Sequence, residues 1–189
     1  MDASIVRPHA TGQRGTTILE VVIASAILVT LMAGLMSLSV VAISTTENQG
    51  HLAARTTEYA QDKMEQLLAL AYGDGVTDTR VFPAAATGGT GLAVGGSSVT
   101  SSPVAGYVDY LDLNGNLCGA AAASCLAPSG TTPPSGWFYQ RVWAIADSST
   151  DGTLPAGLKR ITITATIAQG FGGATKAASV LVVLKTSPF

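Results

Sequence analysis

The chain has 189 residues, a formal net charge of −2 and 47% hydrophobic residues, enough for one globular domain with additional segments. Its lysines and arginines are scattered rather than clustered, which argues against a nucleic-acid surface. A mean hydropathy of +0.38 comes partly from one long apolar stretch and points to a membrane.

That stretch runs from Ile18 to Ile43, interrupted by Glu20, Ser25, Thr30, Gly34, Ser37 and Ser39. As a helix it would be about 39 Å long, more than the roughly 30 Å of a hydrocarbon core. A secretory signal has an apolar region of only about 7–15 residues, so "VVA" ending at Ala42 merely imitates a signal-peptidase site. Arg7 and Arg14 precede the run and favour a cytoplasmic N-terminus, with the rest of the chain across the membrane. Glu20 is the anomaly. A carboxylate at the bilayer centre costs about 2.5–3.5 kcal/mol on insertion scales.

Beyond Ile43 the pattern becomes amphipathic: Leu52, Tyr59, Met64, Leu67, Leu68 and Ala71 recur at near-helical spacing, with Glu47, Arg55, Glu58, Asp62 and Glu65 elsewhere on the projection. No proline occurs between Pro8 and Pro83, and "YGDG" at Tyr72 supplies a stop. The expectation is one helix from about Thr17 to Tyr72, loosened near Gly34. A plain anchor followed by a separate soluble helix is the alternative.

Residues 81–136 are rich in Gly, Ala, Ser, Thr and Pro, and Asp109 and Asp112 are their only charges. Within them "YVDYLDLNGNL" reads as a short strand and a turn at Asn114-Gly115, the remainder as loop with one further strand. From Trp137 the period becomes two. "WFYQRVWAIA", "LKRITITATIA" and "TKAASVLVVLK" are strand-length runs rich in β-branched and aromatic residues. Their connections are too short for crossover helices, so the sheet over 137–185 should be antiparallel. Its apolar face needs a cover, and the amphipathic half-helix is available. The core is expected to hold Leu67, Val142, Ile163 and Val182.

Candidate chemistry is sparse. His51, in the helix, is expected to face solvent, which leaves a Ser-His-Asp set without a histidine in the sheet region. Two cysteines and His51 do not make a zinc set. "DLNGN" at Asp112 resembles the start of a calcium loop, but Leu117 stands where the turn glycine belongs and Ala123 where the terminal glutamate belongs. A hairpin turn is the better reading. Cys118 and Cys125 enclose "GAAAAS" on the exported side, where the redox compartment favours a disulfide over two unpaired thiols.

The N-terminal constellation carries the most information. A basic leader ends in Gly15, Thr16 begins the apolar helix, and Glu20 is the fifth residue after the glycine. This arrangement resembles the class III signal of type IV pilins and pseudopilins, whose usual "GFTLIEVLVA" stands here as "GTTILEVVIA", Gly15 to Ala24. Gly15, Thr17, Glu20, Val21 and Ala24 match by position, Ile18 and Leu19 exchange the usual pair, and Thr16 replaces the usual phenylalanine. Ser37 stands where major pilins commonly have a proline. "ARTTEYAQDKMEQLLALAYGDG" and the strands from Trp137 are similar to PilV-type minor pilins.

The resemblance implies an α+β pilin fold, a long N-terminal helix packed on a C-terminal antiparallel sheet. It divides the chain into a leader (1–15), a transmembrane and assembly helix (16–72) and a globular head (73–189). It further implies prepilin-peptidase cleavage between Gly15 and Thr16, N-methylation of Thr16, and pairing of Glu20 with the Thr16 amine of a neighbouring subunit. The implied role is a non-catalytic minor pilin without cofactor or metal. Its partners would be other pilin subunits, the prepilin peptidase, the inner-membrane assembly platform and membrane lipid. The head would be periplasmic before assembly and at the cell surface in the pilus afterwards. A type II secretion pseudopilin is the alternative, and a membrane-anchored enzyme or binding domain a more distant one.

Overall fold

A computed structural model describes residues 17–80, 87–168 and 176–188. Among these residues one α-helix, α1 (Ile18–Ala69, 52 residues), precedes five strands: β1 (Gly95–Gly96), β2 (Val108–Leu111), β3 (Tyr139–Ala146), β4 (Leu158–Ile167) and β5 (Ala178–Thr186). The helix passes unbroken through Gly34, so apolar half and amphipathic half form one element. It ends at Ala69, three residues short of the expected Tyr72, because the Leu70 N–H turns back to Leu67 O in a tighter turn.

The chain forms two compact units, Met1–Ser44 and Thr45–Phe189, and the core belongs to the second. There α1 buries Thr56, Tyr59, Ala60, Lys63, Met64, Gln66 and Leu67, the i, i+3, i+4, i+7 stripe of a helix lying on a sheet. The sheet is antiparallel throughout, in the order β1-β3-β4-β5, with β2 also pairing with β3.

Register decides which side chains meet the helix. Trp143 pairs with Ile163 and Ile163 with Leu181, so these three share the helix-facing side. Trp143, Ile145, Ile161, Ile163 and Ala165 join Ala60, Met64 and Leu67 in the main cluster. Each fully buried aliphatic side chain there contributes about 1.5–3 kcal/mol by leaving water.

Leu67 and Ile163 occupy this core, but two other expected members do not. Val142 pairs with Thr164 and is buried on the opposite face, among Val108, Tyr110, Cys118 and Cys125, with Trp137 against them. Val182 pairs with Thr162 on that same outer face and is 58% exposed. The cause is parity: Val142, Thr164 and Val180 share one side, Ile163 and Leu181 the other, so one layer cannot hold all the expected residues.

The outer face is therefore a second core, roofed by the Gly/Ala-rich segment. Cys118 and Cys125 are joined by a disulfide that pins this roof. The turn before it is centred on Leu113-Asn114 rather than Asn114-Gly115. Gly115 N donates to Asp112 O, and Gly115 takes φ +86° at the closing position, as in a hairpin with a glycine bulge.

The C-terminus of α1 has no basic residue in its last turn. Lysines from the sheet instead meet a carbonyl of its last turn and carbonyls of the segment just beyond it. Lys185 Nζ donates to Leu68 O and Leu70 O at 2.5 and 2.6 Å, and Lys159 Nζ to Tyr72 O and Leu92 O at 2.8 Å each. The strands thus supply the cations that a helix C-terminus favours.

Candidate functional site

The first candidate is the apolar half of α1. Thr17 caps it: the Glu20 N–H lies 3.3 Å from Thr17 Oγ1 and 2.9 Å from Thr17 O. Its hydroxyls are satisfied within the helix. Ser25 donates to Val22 O, Thr30 to Ile27 O, Ser37 to Gly34 O and Ser39 to Leu35 O, all at 2.8–2.9 Å. By length and composition this helix can cross a membrane.

With backbone and hydroxyls accounted for, the Glu20 carboxylate is the one charge left in this segment. It sits in the first turn, where the helix dipole favours an anion. Among the described residues it has no hydrogen-bond or ion-pair partner. Gly15 and Thr16, the expected cleavage and methylation positions, lie outside the described residues. His51 is exposed on the helix.

The second constellation was not foreseen. Asp109 on β2 faces the helix from a buried position and receives two cations. Lys63 Nζ approaches Asp109 Oδ2 at 2.8 Å, and Arg141 on β3 grips the same carboxylate with Nε at 2.7 Å and Nη2 at 2.9 Å. Arg141 Nη1 continues to the half-exposed Asp62 at 2.8 Å, which also accepts from Gln66 Nε2 at 2.9 Å. Lys63 Nζ further donates to Thr79 O and lies 4.1 Å from the centre of the Trp143 ring.

Burial dominates the electrostatics here. It pushes the Lys63 amine down to about 8 despite the adjoining Asp109 carboxylate. Burial also opposes ionisation of Asp109, but Arg141 and then Lys63 outweigh it and hold that carboxyl below its ordinary range. The network ties α1 to β2 and β3. One signal was present in the sequence: Asp109 is a lone charge inside a strand whose neighbours on both faces are apolar.

Asp112 is organised differently. Its carboxylate accepts the N–H groups of Asn114, Asn116 and Ser124 at 2.9–3.0 Å, with Asn116 Nδ2 at 3.2 Å. Burial raises its pKa, but these donors win and hold it at about 2. An oxygen pair so surrounded by N–H groups is a hub for the turn and the disulfide-closed loop, not a cradle for a cation. Among the described residues no three His, Cys, Asp or Glu side chains converge as metal ligands.

No protein-family model, curated protein or solved structure matches the chain. What stands is the architecture: a long N-terminal apolar helix packed through its second half on an antiparallel sheet, an α+β arrangement compatible with the pilin fold.

Proposed function

We propose that this chain is a minor pilin of PilV type, a structural subunit that joins or primes a type IV pilus after prepilin peptidase removes residues 1–15. The observation that carries the reading is Glu20: a lone carboxylate, partnerless among the described residues, in an otherwise self-satisfied apolar helix and five residues after a glycine. A membrane charge is tolerable when it meets a cation inside an assembly. Cleavage after Gly15 would create that cation at the Thr16 amine, and a neighbouring subunit would bring it to Glu20. The carboxylate then sets register, since a misplaced subunit leaves it unpaired.

Mass spectrometry of the mature protein should find Thr16 as its first residue; an N-terminus at Ile43 would mean ordinary signal-peptidase processing and end the pilin reading. Glu20→Ala should leave insertion and cleavage intact but lower the ratio of mature protein in sheared fibres to that in the inner membrane. Leaving one member of a buried pair uncompensated typically costs about 3–5 kcal/mol, against an insertion gain of about 3 kcal/mol. The defect is therefore partial, and Glu20→Gln is milder. A normal ratio for Glu20→Ala would overturn the pairing.

A further inference from the structure

The loop between Cys118 and Cys125 has little of its own to hold it. Its residues are one glycine, four alanines and Ser124, so Ser124 carries its one hydrogen-bonding side chain. Glycine loses more conformational freedom on ordering than any other residue. Yet both cysteines are buried in the outer core with Val108, Tyr110 and Val142. Besides the sulfur–sulfur bond, another group ties the two arms of the loop together.

That group is the Asp112 carboxylate, just after β2 and itself fully buried. Its two oxygens face different arms. Oδ1 accepts the N–H groups of Asn114 and Asn116, on the Cys118 side, at 2.9 Å each. Oδ2 reaches across to Ser124, the residue before Cys125, and accepts its N–H at 3.0 Å and its hydroxyl at 3.3 Å. Asn116 Nδ2 spans the same gap, donating to Asp112 Oδ2 and to Ala122 O at 3.2 Å each. Gly119 N donates to Cys125 O at 3.0 Å, and Cys118 N to Tyr110 O at 2.9 Å. None of these bonds involves sulfur. Hydrogen bonds to an ionised acceptor are about twice as strong as neutral ones, so the carboxylate is the strongest tie in the set.

We propose that Asp112 is a positioning residue for the Cys118–Cys125 disulfide: its carboxylate holds the two arms together before the sulfurs are joined, and so sets how readily the bridge closes and how strongly it resists reduction.

Closure proceeds by thiol–disulfide exchange with a disulfide-bearing oxidant, which leaves as two thiols. One cysteine thiolate attacks the oxidant and releases its first sulfur. The other cysteine thiolate then attacks the protein sulfur of the mixed disulfide and releases the second. The two protons given up by the cysteines go to the two departing sulfurs. Asp112 exchanges neither electrons nor protons. With its carboxylate in place the dithiol form is already ordered, and the second thiol stands at a high effective concentration for the intramolecular step. Without it the reduced arms separate, and closure must restore their order against conformational entropy.

Equilibrating the full-length protein in detergent micelles with mixtures of reduced and oxidised glutathione, then trapping free thiols by alkylation, measures the closure equilibrium. Asp112→Asn should lower it about tenfold, equivalent to about 30 mV towards easier reduction. Ile163→Ala, which weakens the core on the other face, should leave it unchanged.

A second measurement needs no variant and decides the matter if Asp112→Asn does not fold. By reciprocity, the bridge favours the ionised carboxylate as much as the ionised carboxylate favours the bridge. The Asp112 carboxyl, held at about 2, should therefore titrate about one pH unit higher in the reduced wild-type protein, read by nuclear magnetic resonance of its carboxyl carbon. Tyr59 of α1, beside it, stays neutral over this range because burial raises its hydroxyl further. An unchanged closure equilibrium in Asp112→Asn, an equal shift in Ile163→Ala, or an Asp112 carboxyl that titrates alike in both redox states would overturn the proposal.

Discussion

Replacing Asp109 by alanine will destabilise the head by about 3–5 kcal/mol, the usual cost of removing one member of a buried ion pair. The effect arises from what remains. Lys63 and Arg141 are both buried, and Asp109 is the one buried anion between them. Asp62 lies at the rim with its side chain 49% exposed, and solvent weakens its hold on Arg141. Denaturant unfolding of the full-length chain in micelles, followed by near-ultraviolet circular dichroism, measures the loss; a change under about 1 kcal/mol would show that the cluster relaxes into water. Lys63→Met should be milder, because Arg141 still neutralises Asp109.

The same cluster sets a pH dependence with a definite sign. Lys63 has a folded pKa of about 8 against an ordinary 10.5, so between these values the unfolded chain binds more protons and its contribution to stability rises with pH. Asp109 is depressed below its ordinary 3.8, so its contribution is present above that pH and is lost on acidification through its folded pKa. The Lys63→Met variant should lack the alkaline gain.

Ile163→Ala will cost about 2–5 kcal/mol, the range for deleting a fully buried aliphatic side chain. Ile163 sits between Trp143 and Leu181 across the strands, under Ala60, Met64 and Leu67, so several neighbours would line the cavity. Val182→Ala, one strand away but on the outer face, should change stability by no more than about 0.5 kcal/mol. Equal effects at the two sites would mean that the faces are reversed, and denaturant midpoints at constant slope compare them directly.

The main architecture was readable from periodicity. An apolar run without proline, continuing into a helical stripe, can only be one long helix or two abutting ones, and runs of period two separated by short connections force antiparallel strands. What alternation could not supply was absolute parity. Val142 and Val182 lie on strands that carry apolar residues on both faces, unlike β4, where Ile163 alternates with Thr162 and Thr164. Only the observed register and the roof over Val142 show that the sheet has two cores.

The Asp109 cluster was hidden for another reason. Its members lie at positions 63, 109 and 141, and no local pattern links residues so far apart in the chain. Glu20 stood out because everything around it is apolar. Asp109 carried a weaker form of the same signal, a charge inside an apolar strand, but its partners could not be named without the fold.

The lysines that meet the end of α1 bear on the order in which this protein can form. A helix normally carries its own stop signal, or finds one in the next few residues. Here the Leu68 carbonyl of α1 and the Leu70 carbonyl just beyond it wait for Lys185 on β5. During synthesis from the N-terminus, these two carbonyls have no cationic partner until β5 emerges. Loop closure over more than a hundred residues must precede that contact. A helix made before the sheet is thus finished only with β5, and a chain truncated before Lys185 would carry a helix whose end stays frayed.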